Sequence, residues 1–446
     1  MRARRGARHR WAALLGTVAV AVPVLAACGS ADEGVVLRFY TPADGATQYA
    51  EAAADCTRQA RGYRVEQVTL PRQADDQRLQ LARRIVGNDP TIDILGMDVT
   101  WTAEFAEAGW IRPFPAEETG RIRNGTLEAA YETGTWRNRL YAAPLNTNTQ
   151  LLWYRKDLMP GGRPPRTWPE LIRIAEQLAD QNRPSWIEAQ GSQYEGLTVW
   201  FNTLLASAGG QIVAEDGTTV TLGDDNADNA TERALTVLQR VATSRGADPS
   251  LSQRDEGGNR LAMESGKAVF MVNYPFVLPG IAENGGGAFL DDKGRPTSKD
   301  TGRRVQDVFA WAPYPAMDSG KPAAVTIGGL NLAVSSTSRH YDQAVDAVQC
   351  LRNRANQLRN AVDGGVPPTL EELYTDPAFQ REYPAWQAIK QSLDGAGVRP
   401  KSPAYQSISI VLSALLNPPA EIDPPATQAE LVHQVQRAVD SEGLVP

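Results

Sequence analysis

Residues Tyr141–Leu171 read YAAPLNTNTQLLWYRKDLMPGGRPPRTWPEL, and the reading of the chain turns on them. Leu140-Tyr-Ala-Ala-Pro-Leu145 has the apolar run of a short strand. It breaks into Asn146-Thr-Asn-Thr-Gln150, and a second strand resumes as Leu151-Leu-Trp-Tyr154. Thr167, three residues ahead of Glu170, predicts a capped helix start with Trp168 and Pro169 in its first turn. Two strands that both require burial, separated by a polar break, predict a chain leaving one sheet and entering another. Asn148 would then face a gap between two bodies.

Toward the N-terminus, Arg2, Arg4, Arg5, Arg8 and Arg10 form a basic head, and a small apolar run follows from Trp11 to Ala27. That run is too short and Ala-rich for a spanning helix and reads as an export signal over residues 1–27. It ends Leu25-Ala-Ala-Cys28, the form of a bacterial lipobox, which makes Cys28 a lipid-bearing first residue and 28–34 a tether. An ordinary secretory signal with an incidental cysteine is the alternative. Lipid would be the only anchor, at the outer face of the cell membrane, because nothing later is apolar for eighteen residues.

Without the five signal arginines the chain carries 40 basic against 52 acidic residues, near −12. An acidic surface argues against nucleic acid as a partner. The length favours two bodies over one. Cys56 and Cys350 lie on apparent helices, and outside the cytoplasm such a pair is a disulfide candidate. Two buried free thiols are the alternative.

Between Val35 and Phe114, strands alternate with helices: Val35–Tyr40, Tyr63–Leu70 and Thr91–Met97 are strands, and Asp75–Gly87 is an amphipathic helix. This rhythm predicts a largely parallel α/β sheet, with ligands at the carboxyl ends of strands. Asp44 and Asp98 both fall just past strand ends. Each could line a cleft or cap a helix. Residues beyond Leu171 are mostly helical, with strands at Lys267–Asn273, Phe309–Tyr314 and Val325–Val334. Residues 284–304 read as a mobile loop or hairpin. A second capping box, Thr427 to Glu430, predicts the start of the final helix.

Catalytic material is thin. Only His340 and His433 follow the signal, too little for a Ser–His–Asp system or a histidine zinc site. Neither a nucleophile elbow nor a phosphate-binding loop occurs. Asp224–Asn229 resembles the start of a calcium loop but lacks Gly at its sixth position and Glu at its twelfth, so it reads as a solvated turn. No cofactor is expected. A pair of carboxylates could still serve a glycosidase. Against that, Trp101, Trp153, Trp168, Trp186 and Trp200 cluster near strand ends and helix starts. Sugar faces stack on aromatic rings, and charged side chains take the hydroxyls. Most of these rings suit plain core packing; Tyr274, beyond a strand end beside Asn273, suits stacking better.

Several segments in order resemble the extracellular solute-binding proteins of sugar ABC importers. They are Asp93-Ile-Leu…Trp101…Phe105–Phe114, Leu152–Leu158 with Pro165–Leu171, Glu264–Met271 and Gly328–Val334. Phe39-Tyr-Thr-Pro, Arg78–Arg84, Thr147–Tyr154 and Glu195-Gly-Leu…Trp200–Leu205 are, more narrowly, similar to the trehalose-binding lipoproteins of actinobacterial trehalose recycling. The resemblance implies an α/β, two-lobed periplasmic-binding-protein-like fold with a hinge and an interlobe ligand cleft. Residues 35–146 plus 311–362 would form one lobe, and 149–308 plus 366–446 the other.

The resemblance further implies Asp98, Asn148, Glu256, Tyr274 and Arg399 as sugar contacts, with Asp44, Gln48, Asn273 and the Gly328-Gly329 backbone in support. It leads one to expect Trp where Tyr274 stands, a change that keeps stacking. The implied protein is a monomer that closes on a disaccharide, trehalose foremost, and hands it to permease subunits served by a separate ATPase. A binder of another oligosaccharide or of a glycerophosphodiester, and a secreted glycoside hydrolase, are the alternatives.

Overall fold

The polar break at Asn146–Gln150 is where the chain changes sheets in the computed structural model, which describes residues 34–43, 45–223 and 227–441. The first sheet contains β1 (Val35–Thr41), β2 (Tyr63–Thr69), β3 (Ile94–Asp98), β4 (Ile111–Arg112) and β5 (Ala142–Asn148). The second contains β6 (Leu151–Arg155), β7 (Trp186–Glu188), β8 (Ala268–Asn273) and β9 (Phe309–Ala312). The chain then returns to the first sheet as β10 (Gly328–Ser335). β5 pairs with β10, whereas β6, two residues farther on, pairs with β8 and β9.

The first sheet runs β2-β1-β3-β10, and β4 and β5 both pair with β10. Only β2, β1 and β3 are mutually parallel; β10 is antiparallel to β3, β4 and β5. The sheet is therefore mixed rather than largely parallel. β10 does not arrive by a local strand–helix–strand crossover, which would impose parallel pairing, but from the other sheet. The second sheet, β9-β6-β8-β7, is antiparallel apart from the β8–β7 pair.

The expected return to the first lobe at residue 311 is too early. Phe309–Ala312 pair with Arg155–Leu152, and Tyr314, Met317 and Val325 stay in the core behind the second sheet. The Phe-Ala-Trp-Ala alternation suits either sheet; Trp153 decides it, stacking on Phe309 at 5.3 Å. In that lobe Trp168, at the start of the helix Trp168–Asp180, lies against Trp200 and Tyr314. Thr167 caps that helix, accepting from the Glu170 N–H at 3.3 Å, while Glu170 reaches back to the Arg166 N–H at 2.8 Å. The final helix starts earlier than Thr427. Asp423 caps it by accepting from the Ala426 N–H, and Pro424 fills the first turn, where no donor is needed.

A disulfide joins Cys56, on the helix Ala46–Gln59, to Cys350, on the helix Tyr341–Leu351. Both helices pack in the core that contains Leu37, Phe39 and Leu332 of the first sheet. Residues 284–304 form the hairpin alternative, with Phe289–Leu290 paired to Pro296–Thr297. Buried Arg155 holds it by donating to the Gly294 carbonyl at 2.8 Å. Cys28 and the signal segment lie outside the described residues, as do Asp44 and Asp224 to Asn226.

Candidate functional site

Three strand ends of the first sheet lie in one row. Asp98 closes β3 opposite Leu330, and Gly328, two residues before Leu330, is paired with Asn148 at the end of β5. Asp98 caps the turn Val99–Trp101, its Oδ1 accepting from the Thr100 N–H at 2.9 Å and the Thr100 hydroxyl at 2.7 Å. The capping role open to it in the sequence is thus filled, and the same oxygen also meets a cation (below). The Asn148 Oδ1 accepts from the Thr149 N–H at 3.1 Å.

The two glycines do different work. A Cβ on Gly329, at φ 135°, would stand 2.3 Å from the Asn146 carbonyl oxygen, so no other residue fits there. A Cβ on Gly328 would have as nearest neighbours Asn148 Cβ at 3.4 Å, Arg399 Nη2 at 3.8 Å and the Asn148 carbonyl oxygen at 3.9 Å. Gly328 therefore marks the point where Asn148 and Arg399 come together.

Arg399 is placed by the segment before it. Gly397 donates to the Val325 carbonyl at 2.9 Å and accepts from the Ile327 N–H at 2.8 Å, laying residues 397–399 beside the crossover into β10. The Arg399 side chain is 4% exposed. Its Nη2 lies 3.2 Å from Asp98 Oδ1, and its Nη1 donates to Glu195 Oε1 at 2.6 Å. Glu195 opens the helix Glu195–Ser207. Its Oε1 also accepts from the Tyr405 hydroxyl and its Oε2 from the Ser409 hydroxyl, both on the helix Tyr405–Leu416. Ser409 in turn lies 3.0 Å from the Thr198 hydroxyl.

Burial works against charge on Arg399, but Asp98, Tyr405 and Glu195 outweigh it and raise its pKa well above the usual value. Burial likewise raises the Glu195 pKa; Arg399 pulls it down, Asp98 pushes it up, and the Ser409 and Tyr405 hydroxyls stabilise the ion.

A second group gathers at the end of β8. Asp255 caps the helix Glu256–Glu264, accepting from the Gly258 N–H at 2.7 Å, which fixes Glu256 in the first turn. Asn273 is fully buried. Its Nδ2 donates to the Glu256 carbonyl at 2.9 Å, and its Oδ1 accepts from the Tyr274 N–H at 2.8 Å. Asn273 thus braces Glu256 against Tyr274. Burial first, then the Glu256 carboxylate, drives the Tyr274 pKa far above the usual phenol value, with Asp98 and Glu195 adding to it and Arg399 opposing. Gln48 lies near Gly364, and Gly365 abuts Pro275-Phe276 just past Tyr274.

The structure therefore brings Asp98, Asn148, Gly328 and Arg399 into contact and ties Glu256, Asn273 and Tyr274 into a neighbouring group. Sequence reasoning missed Glu195, Tyr405 and Ser409. Tyr405 and Ser409, four apart, share a helix face, but nothing local signals that Glu195 pairs with a residue 204 positions away. Two further polar contacts flank Arg399: Lys401 with Glu132 at 3.1 Å and Gln406 with Asp75 at 2.7 Å. Among the described residues there is no carboxylate, histidine and cysteine cluster that could hold a metal, and no helix long and apolar enough to cross a membrane.

Residues 42–358 match the family model for bacterial extracellular solute-binding proteins. A probable ABC transporter-binding protein of Deinococcus radiodurans is 26% identical over 402 residues, covering 88% of each chain. Among solved structures, maltose-bound T. maritima MalE3 superposes with a TM-score of 0.75 at 22% identity, covering 91% of this chain and 99% of that one. The GacH receptor of Streptomyces glaucescens, solved unliganded and with acarbose, gives 0.75 at 21% identity, covering 92% and 99%.

Proposed function

The chain belongs to the bacterial extracellular solute-binding protein family, and on that premise we propose that it captures trehalose or a trehalose-like disaccharide for an ABC importer. Its relatives are transporter-binding proteins rather than enzymes, so the carboxylates of the cleft serve recognition. The lobes take in the two sheets, the first spanning residues 35–148 and 328–364 and the second most of the rest. Asp44, Gln48, Asp98, Asn148, Glu256, Asn273, Tyr274, the Gly328-Gly329 backbone and Arg399 form or support the sugar site. Cys28 carries the lipid that holds the protein at the outer membrane face, where permease subunits and a separate ATPase complete the importer.

One observation carries this reading: the 3.2 Å contact between Asp98, at a strand end of the first sheet, and Arg399, whose other ion-pair partner, Glu195, opens a helix behind the second sheet. A ligand seated at that contact touches both bodies at once, and it favours the closed form by its preference for that form over the open one. The carboxylates, Asn148 and Arg399 supply donors and acceptors for hydroxyls, and Tyr274 supplies a ring for a sugar face. The narrowing to trehalose rests on the sequence segments similar to trehalose-binding lipoproteins.

Maltose-type sugars are the second reading, favoured by the similarity to maltose-bound T. maritima MalE3. Calorimetry of the mature chain against trehalose, maltose, sucrose and maltotriose separates the two. Tight one-to-one heat with trehalose is expected, and its absence beside a maltose signal overturns the narrower assignment. Growth-independent palmitate labelling of wild type and Cys28→Ser tests the anchor.

A further inference from the structure

We propose that Glu195 sets the charge class of the ligand by cancelling Arg399 from within its own lobe, so that the cleft takes neutral polyols and refuses anions. This deepens the sugar-binding reading and rests on the same site. A lone buried arginine with two free Nη edges is a ready receptor for phosphate, sulfate or carboxylate. Arg399 is not left in that state. Glu195 takes Nη1 at 2.6 Å, and the Tyr405 ring lies 5.9 Å from the guanidinium carbon. When the lobes meet, Asp98 takes Nη2 at 3.2 Å.

The decisive feature is which lobe each carboxylate comes from. Asp98 stands on the opposite sheet and withdraws when the lobes part. Glu195 and Arg399 stay together, because Glu195 shares its other bonds with Tyr405 and Ser409 on the helix that follows Arg399 in the chain. The guanidinium is therefore neutralised before a ligand arrives, and an anion would have to displace a part-buried, hydrogen-bonded carboxylate of its own sign. A sugar hydroxyl has no such competitor, because it needs only a donor edge. With Asp98 added, two carboxylates face the one guanidinium, a field that repels anions further.

The test uses the mature chain and inorganic sulfate, whose charge is constant over the working pH. Thermal unfolding is followed against sulfate at constant ionic strength for wild type, Glu195→Gln and Glu195→Gln/Arg399→Gln. Wild type and the double variant should show the same shallow salt response. Glu195→Gln should gain a saturable rise in Tm on top of it, as mass action requires of a new anion site. Should Glu195→Gln fail to fold, Glu195→Ala is read the same way, and Glu195→Asp, which keeps the charge, should behave as wild type.

A saturable sulfate response in wild type, or none in Glu195→Gln, overturns the proposal. Neither outcome depends on which sugar binds, so it is read separately from the calorimetry. In parallel, Glu195→Gln should weaken sugar binding by about tenfold, the loss of one charged hydrogen bond. Unchanged affinity would also overturn the proposal, since Arg399 would then hold its place unaided.

Discussion

Glu188 and Glu195 stand seven residues apart in the same lobe, the first fully buried and the second with 17% of its side chain exposed; burial raises the pKa of both, but the partners they offer a negative charge differ. Glu195 meets a guanidinium at 2.6 Å and two hydroxyls. Glu188, the last residue of β7, has its nearest cation, Arg254, at 3.7 Å, and Arg254 is already spent on Asp248 at 2.5 Å. Burial, reinforced by the Asp248 carboxylate and only partly opposed by Arg254, pushes the Glu188 carboxyl up to about 9. At neutral pH it holds its proton. The contrast shows that burial alone does not decide whether a carboxyl can serve as an ion; the number and sign of its immediate partners do.

The harshest way to break this contrast is Arg399→Ala, which turns the surroundings of Glu195 into something like those of Glu188. Removing one partner of a buried ion pair costs about 3–5 kcal/mol, which urea unfolding at pH 7 should register. Sugar heat should vanish from the calorimeter as well. If stability and binding both survive, Glu195 was never held by Arg399.

Asp98→Ala is milder because Asp98 is partly exposed, at 27%. Stability should change little, while affinity falls by about 1.5–3 kcal/mol, the worth of a charged hydrogen bond. Equal losses in stability and affinity would mean that its cap on Thr100 matters more than its place at the cleft.

Glu188→Gln probes the other side. A carboxyl whose folded-state pKa is about 9, against 4.5 unfolded, keeps a proton on folding that the unfolded chain releases. Its contribution is fully present below pH 4.5 and is lost as pH rises toward 9, at up to about 1.4 kcal/mol per pH unit. The amide variant has no proton to lose. Unfolding free energies from pH 5 to 9 should therefore decline less steeply for Glu188→Gln than for wild type, and parallel curves would refute a protonated Glu188.

The smallest effect belongs to Lys401→Ala. Its contact with Glu132 is 3.1 Å long but half in solvent, and such pairs contribute about 0–1 kcal/mol. A larger loss in affinity would show that closure itself leans on the contacts flanking Arg399.

How much of this was written legibly along the chain follows the range of the forces involved. The change of sheets at Asn146–Gln150 is local, because an apolar–polar–apolar alternation within fifteen residues reports burial directly. So is the Thr167 cap. The direction of β10 and the sheet that receives Phe309–Ala312 are not local. They depend on which distant strands offer partners, and Phe-Ala-Trp-Ala fits either sheet. At the site, Asp98 and Tyr274 could be suspected from their positions past strand ends. Arg399 had only the family resemblance to recommend it, since a Gly-Val-Arg-Pro loop looks exposed until Val325 and Ile327 pair with Gly397. Glu195 lay inside a quoted segment yet gave no sign of its charge partner. Asn273, read as a possible contact, spends its amide on Glu256 and Tyr274.

The bond between Cys56 and Cys350 makes a covalent ring of most of the molecule. Every strand of the second sheet, from Leu151 to Ala312, lies inside that ring. A protease that cuts once anywhere between the two cysteines therefore opens the ring without dividing the molecule. The nicked protein should migrate as one species until a reductant separates the halves, so a single cleavage inside the ring cannot release the second sheet from the first.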